Sequence, residues 1–146
     1  MSQSANFELD AFLPYQLAIL SSRVSAEFAE IYGRRFGLSL AEWRVVAHLS
    51  AADKVSTREV FARVDLDKAK ISRAAQRLEA NGLIEKRQSA VDRRLVEMSL
   101  TQKGRDMMAE IAPIARRFEA DFLARFADGD GRAFQRLVME ALEASK

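Results

Sequence analysis

The chain has 146 residues, a formal net charge of +2, and 49% hydrophobic and 30% charged residues. That is the balance of one globular domain or a compact pair of subregions. With no cysteine and one histidine, it excludes disulfides, thiolate catalysis, thiol redox sensing and cysteine-ligated zinc. No stretch approaches the roughly 20 apolar residues of a membrane span, and the first ten residues lack the basic-then-apolar order of a secretory signal. A cytoplasmic protein without a membrane partner is expected.

A first helix is predicted from about Phe12 to Phe36, with Asp10 as its cap and Pro14 in its first turn, where a missing N–H is harmless. Leu13, Leu17, Leu20, Val24, Phe28 and Ile31 recur every three or four residues as one apolar stripe, and Gly37 ends the helix. Ser39 and Glu42 form a capping-box pattern that opens a second helix to about Ala52. Ser56 and Glu59 repeat the pattern for a short third helix to about Val64. Asp67 caps a fourth helix that stops at Asn81-Gly82. The third and fourth helices, joined by Val64-Asp65-Leu66, are a helix-turn-helix candidate.

Leu83 to Arg87 and Leu95 to Leu100 read as two strands around a hairpin tip from about Gln88 to Arg94. Thr101 caps a long fifth helix to about Phe126, which Pro113 should bend. Asp128-Gly129-Asp130-Gly131 is a turn. A last helix runs from about Arg132 to Ala144, with Phe134, Leu137, Val138, Ala141 and Leu142 on one face. The expected fold class is mainly α with a small β-hairpin (α+β).

Charge is distributed unevenly. Between Asp67 and Arg94 eight basic residues face four acidic ones, +4 against +2 for the whole chain, so the rest is net acidic. A local basic patch on a near-neutral protein suggests a polyanion met at one surface. In the fourth helix Ile71, Ala74, Ala75 and Leu78 fix the buried seam, and the opposite face carries Lys68, Lys70, Ser72, Arg73, Gln76 and Arg77. One helix fits a B-DNA major groove about 12 Å wide, where arginine or lysine donates to guanine and glutamine pairs with adenine. Base contacts are expected from Lys70, Arg73 and Gln76, with Lys68, Ser72 and Arg77 nearer phosphates. Ser56 and Thr57 offer a phosphate the N-terminus of the preceding helix. A solvated helix face explains such charges equally well on its own.

The hairpin shifts that balance. An arginine at its tip can enter a minor groove, and Asp92 can hold the tip by pairing with an arginine or by accepting turn amides. The pattern Asp92-x-Arg94-x5-Leu100-Thr101-x2-Gly104 resembles the wing signature of the MarR family of bacterial transcriptional regulators. Leu78-Glu79-x2-Gly82-Leu83-Ile84 is similar to that family's exit from recognition helix to wing. The resemblance extends from about Phe12 to Leu142.

It implies a single domain over residues 1–146, with a winged helix-turn-helix lobe at 39–100 and dimerisation helices at 12–36 and 102–146. It also implies a homodimer on a pseudopalindromic double-stranded operator, acting as a repressor. Arg94 matches the wing arginine, Asp92 its acidic support, and Ser72 and Arg73 fall on the recognition helix; Arg93 adds a phosphate contact. Phe12, Leu17, Ile111, Ile114, Phe118, Phe122, Phe134, Leu137 and Leu142 would be buried between protomers, the other reading being an intramolecular core.

Many relatives take small anionic aromatics in a cleft between the dimer helices and the winged lobe. Here that cleft would hold Tyr15, Arg23, Trp43, Arg44 and His48. Leu13-Pro14-Tyr15-Gln16-Leu17, with Arg23-Val24-Ser25 and Glu42-Trp43-Arg44-Val45, resembles members that sense aromatic acids or their CoA thioesters. The plainer readings are a core tryptophan, a structurally bonded histidine, and arginines paired with Glu27, Glu30 or another nearby acid.

No cofactor or metal is expected, and the ingredients of an enzyme site are missing, with no Walker loop and no GxGxxG. The rival to a DNA reader is a winged-helix protein-interaction module without specific DNA readout. That rival predicts apolar residues on the fourth helix's open face and a neutral wing, which Lys70, Arg73, Gln76 and Arg94 oppose. RNA is disfavoured because the basic segment has no aromatic stacking platform.

Overall fold

The computed structural model describes residues 6–52 and 54–146. After a single 3-10 turn (Leu9–Ala11), helix α1 runs Leu13–Phe36 and α2 Leu40–Ser50. Strand β1 (Val55–Ser56), α3 (Thr57–Arg63) and α4 (Lys68–Ala80) follow. Strands β2 (Ile84–Gln88) and β3 (Val96–Leu100) lead into α5 (Gln102–Leu123) and α6 (Asp130–Ala144). The fold is mostly helical around a small antiparallel sheet of order β1-β3-β2.

Local chemistry sets most boundaries. Ser39 Oγ accepts the Glu42 amide while the Glu42 carboxylate accepts the Ser39 amide, a complete capping box. Asp67 Oδ1 accepts the Lys70 amide and Thr101 Oγ1 the Gly104 amide. Gly37 and Gly82 take left-handed backbone at φ 67° and 74°, where a Cβ is strained, and so terminate α1 and α4.

Several boundaries differ from the sequence expectation. Asp10 lies in the 3-10 turn, so Phe12 stands at the N-cap of α1 without a side-chain bond, and only the Asp10 carbonyl is used, by the Gln16 amide group. Ser56 caps α3 by accepting the Glu59 amide, but the reciprocal bond from the Ser56 amide to the Glu59 carboxylate is not formed among the described residues. Helix α5 passes through Pro113 unbroken and stops at Leu123, and α6 begins two residues early, at Asp130. Strand β1 was not foreseen. It pairs Val55 with Met98 and lays α3 against the sheet.

The core lies where α2, α3 and α4 meet the sheet. Val45, Val46 and Leu49 of α2, Val60 of α3 and Ile71, Ala74, Ala75 and Leu78 of α4 are buried together with Ile84 and Met98. The four α4 positions are the seam read from the sequence, and the two alanines let α4 sit close to α2. Burying a side chain such as Ile71 or Leu78 contributes roughly 1.5–3 kcal/mol. In α1 the buried anchor is Tyr32 rather than any member of the Leu13 to Ile31 stripe, whose first residues are exposed. Gly104 packs so tightly on the Leu83 carbonyl that a Cβ there would overlap the oxygen. This contact, with Thr101 Oγ1 donating to the Gly82 carbonyl and Lys103 Nζ to the Asn81 carbonyl at 2.9 Å, fastens the start of α5 to the end of α4.

Candidate nucleic-acid interface

With its seam buried, α4 turns two polar flanks outward. On the flank toward α2, Lys70, Arg73 and Arg77 line an open hollow of about 280 Å³ together with Ser39, Leu40, Ala41 and Leu66. On the flank toward the wing, Ser72 and Gln76 line a second hollow of about 250 Å³ with Thr57, Phe61, Lys86 and Val96. Eight of the ten candidate DNA contacts therefore fall on α4 or at the start of α3, and Arg93 and Arg94 sit at the tip between β2 and β3.

The cations differ in freedom. Lys68 Nζ stands over the Phe61 ring, 5.9 Å from its centre. Lys70 is 3.9 Å from its cap Asp67, an exposed pair of little energetic weight. Arg77 donates through Nε to Glu42 Oε1 at 3.3 Å. Arg73 makes no ion pair among the described residues. The Thr57 hydroxyl donates to the Val96 carbonyl at 3.2 Å, which ties the head of α3 to β3, and Ser56 Oγ is engaged in its cap.

The hairpin β2–β3, in register from Ile84 opposite Leu100 to Gln88 opposite Val96, carries a tip organised by side chains. Asp92 Oδ1 accepts the Arg94 amide and Nε, and Oδ2 accepts an Nη, all at 3.1 Å. These bonds, chiefly those from the Arg94 side chain, hold the Asp92 carboxyl below its ordinary value, against the opposing effect of desolvation. Both modes suggested for Asp92, arginine pairing and amide capture, occur together. Two contributors escaped the sequence reading. Buried Ser89 accepts the Val91 and Asp92 amides on its hydroxyl, and Gln88 donates to the Arg93 carbonyl at 2.6 Å. Arg58, in the first turn of α3, also acts electrostatically on Asp92.

The residues proposed for a ligand do not converge on one cavity. Tyr15 and Arg23 line a hollow on α1 with Asp10, Gln16, Ile19 and Leu20. Trp43 and Arg44 line a separate cleft of about 140 Å³ between α1, α2 and α5, with Val24, Phe28, Tyr32 and Phe118. His48 lines neither, and its Nε2 is buried without a partner among the described residues, contrary to a structural hydrogen bond there. Trp43 stacks on Tyr32 at 5.5 Å and meets Phe28 edge-on at 5.2 Å, so it belongs to an aromatic cluster as well as to the cleft. The Tyr32 hydroxyl is buried and has no partner among the described residues. Burial raises its pKa, and the Arg44 charge partly opposes the rise. Glu27 is taken by Arg125, which donates to both its oxygens at 3.3 and 2.8 Å. Arg23 and Arg44 have no ion pair among the described residues.

Of the candidate interface residues, Leu17, Leu137 and Leu142 are more than half exposed and Phe12 nearly so. Phe118, Phe122 and Phe134 are partly covered by other rings of the same chain, and Ile114 is partly buried. Ile111 departs from the expectation. At 1% exposure within one chain it belongs to the core and has no surface left for a partner.

A buried-seam helix with a polar outer face, followed by a hairpin with an arginine tip, defines a winged-helix DNA-binding protein. A family model described as the MarR family matches residues 36–95. Over 123 residues the chain is 30% identical to the uncharacterized HTH-type transcriptional regulator YwoH of Bacillus subtilis, spanning 84% of this chain and 89% of that protein. The crystal structure of the MarR family regulator SPO1453 from Silicibacter pomeroyi superposes with a TM-score of 0.83 at 26% identity, over 97% of this chain and all of that one. Bordetella bronchiseptica BpsR, whose DNA binding is regulated by 6-hydroxynicotinic acid, shares the fold with a TM-score of 0.81 at 21% identity, over 94% and 97% of the two chains. The chain belongs to the MarR family and is a DNA-binding transcriptional regulator.

Proposed function

We propose that this regulator is a cytoplasmic homodimeric repressor that covers a pseudopalindromic operator and is released by a small aromatic acid or its CoA thioester. The observation that carries the reading is the outward face of α4 together with a wing whose arginine is already held by Asp92, whose own amide is held by Ser89. Lys70, Arg73 and Gln76 read bases, Lys68, Ser72 and Arg77 lie toward phosphates with Ser56 and Thr57, and Arg93 and Arg94 serve the flanking groove. Two such lobes one helical turn apart, roughly 34–36 Å, meet successive major grooves on one face of the duplex.

The test is titration of the protein onto its own upstream intergenic DNA and onto a scrambled duplex at two salt concentrations. Saturable binding with a large preference for the native fragment is expected. Arg94→Ala weakens it, and Arg73→Ala weakens it by roughly 1–3 kcal/mol while relaxing base preference. Binding of both folded variants equal to that of the parent would overturn the assignment.

For the effector, support comes from the cleft that sets Arg44 beside Trp43 and the unpartnered Tyr32 hydroxyl, a cation and donor for a carboxylate next to a ring for stacking. The chemistry is of the kind named for BpsR. As Trp43 is the only tryptophan, an aromatic carboxylate such as 6-hydroxynicotinate should quench the intrinsic fluorescence saturably and lower DNA affinity. Arg44→Ala should abolish both effects. Linear, unsaturable quenching without loss of DNA binding would remove this class of effector.

A further inference from the structure

Glu42 is the buried acid among the described residues, 7% exposed. Its place at the third position of α2 accounts for the bond with Ser39, but capping boxes need no burial, and a buried carboxylate requires a cation to be tolerated. The cation is Arg77, from α4, whose Nε donates to the same Oε1 that receives the Ser39 amide. Only Nε is engaged. Both Nη groups are left with four N–H donors, on a side chain that is half exposed and lines the basic hollow with Lys70 and Arg73. An arginine serving only to neutralise Glu42 has no use for that exposed end. An arginine gripped at Nε loses less rotamer freedom when its outer edge meets a phosphate.

We propose that Glu42 is a positioning residue for DNA binding. It holds Arg77 by Nε so that the Nη edge receives a backbone phosphate beside the groove that α4 enters. The proposal rests on the reading of α4 as the DNA-binding helix. It adds to that reading a residue that faces away from DNA, and it makes part of the affinity depend on the α2–α4 contact.

The experiment is a double-mutant cycle of Glu42→Gln, Arg77→Ala and their combination, titrated onto the upstream intergenic duplex across a salt series, with thermal unfolding of each protein. Glutamine keeps a capping oxygen at position 42 but loses the charge. Arg77→Ala should weaken binding about threefold to tenfold and lower the salt slope by about one per protomer. Glu42→Gln should weaken binding in the parent and have no further effect in the Arg77→Ala background, because the two act as one unit. Penalties that multiply, or an unchanged salt slope in Arg77→Ala, overturn the proposal. If Glu42→Gln fails to fold, Arg77→Lys replaces it. This variant leaves the cap untouched and keeps the charge but lacks the fork, so it should keep the salt slope and still lose affinity, and parental affinity in Arg77→Lys counts against the proposal. Arg73→Ala and Arg94→Ala separate the two failures. If they weaken binding while Arg77→Ala does not, only the role of Glu42 falls; if they bind as the parent does, or the parent does not bind, the DNA reading fails and takes the proposal with it.

Discussion

At the hairpin tip one serine hydroxyl and one carboxylate brace a tight turn, which the Leu95 amide closes by donating to the Asp92 carbonyl at 3.0 Å. Ser89 gathers two successive amides and Asp92 a third, and the Arg94 guanidinium closes over the same carboxylate. Because the Asp92 pKa is lowered in the fold, its contribution to tip order is complete above the unfolded-state value and is lost only as pH falls through the lower folded one. The Arg94 amide and the Asp92 carboxyl should therefore keep their native NMR shifts down through the ordinary aspartate range and change only below it. In Asp92→Asn the Arg94 amide should show no such acid transition. A midpoint at or above the ordinary aspartate value would show that the pair does not persist in solution. The Asp92-x-Arg94 spacing was legible because both groups act within two residues of each other. Ser89 carried no signal, since a buried serine in a loop looks like any other serine until its hydroxyl is seen to accept amides. Glu42 and Arg77 were each visible, as a capping residue and a surface cation, but their bond spans 35 residues and only packing reveals it.

Among the elements, those with strong chemical ends were readable and the others less so. Ser39, Asp67 and Thr101 cap as expected because a short side-chain acceptor three residues before a free amide is a local arrangement. Strand β1 was missed because two residues have no periodicity, and it exists only through pairing with β3. The α4–α5 junction gives the sharpest prediction at this scale. A methyl group on residue 104 would press into the Leu83 carbonyl, a backbone atom that cannot rotate away. Gly104→Ala should therefore destabilise the protein by about 1–3 kcal/mol, as overpacking does, and weaken operator binding beyond what stability explains. Calorimetry beside the DNA titration checks both. An unchanged melting temperature would mean that the junction yields readily.

Across the whole molecule, the winged lobe is complete within one chain while the outer helices are not. Helix α6 leaves Leu137, Met139 and Leu142 exposed, and α1 leaves Leu13 and Leu17 exposed. In the dimeric reading these surfaces meet their counterparts. Since Leu142 is 61% exposed within the chain, Leu142→Glu should leave the fold intact, yield monomer in sedimentation at micromolar concentration and weaken operator binding. A dimer as stable as the parent would move the contact away from the end of α6. The apolar faces were readable from helical spacing, but which of their members a single chain already buries was not, and Ile111 shows why. Periodicity assigns a residue to a face without saying whether the neighbour covering it is cis or trans.

The join between α4 and α5 has a mechanical consequence. A 22-residue helix is about 33 Å long, and this one is clamped at its first turn to α4, the helix proposed to enter the groove. A tilt of about 5° about its far end displaces the clamped end by roughly 3 Å, close to the rise of one base-pair step. In the proposed dimer on its operator, a movement of that size would be large enough, by lever action, to set the two reading heads one step out of phase with the DNA.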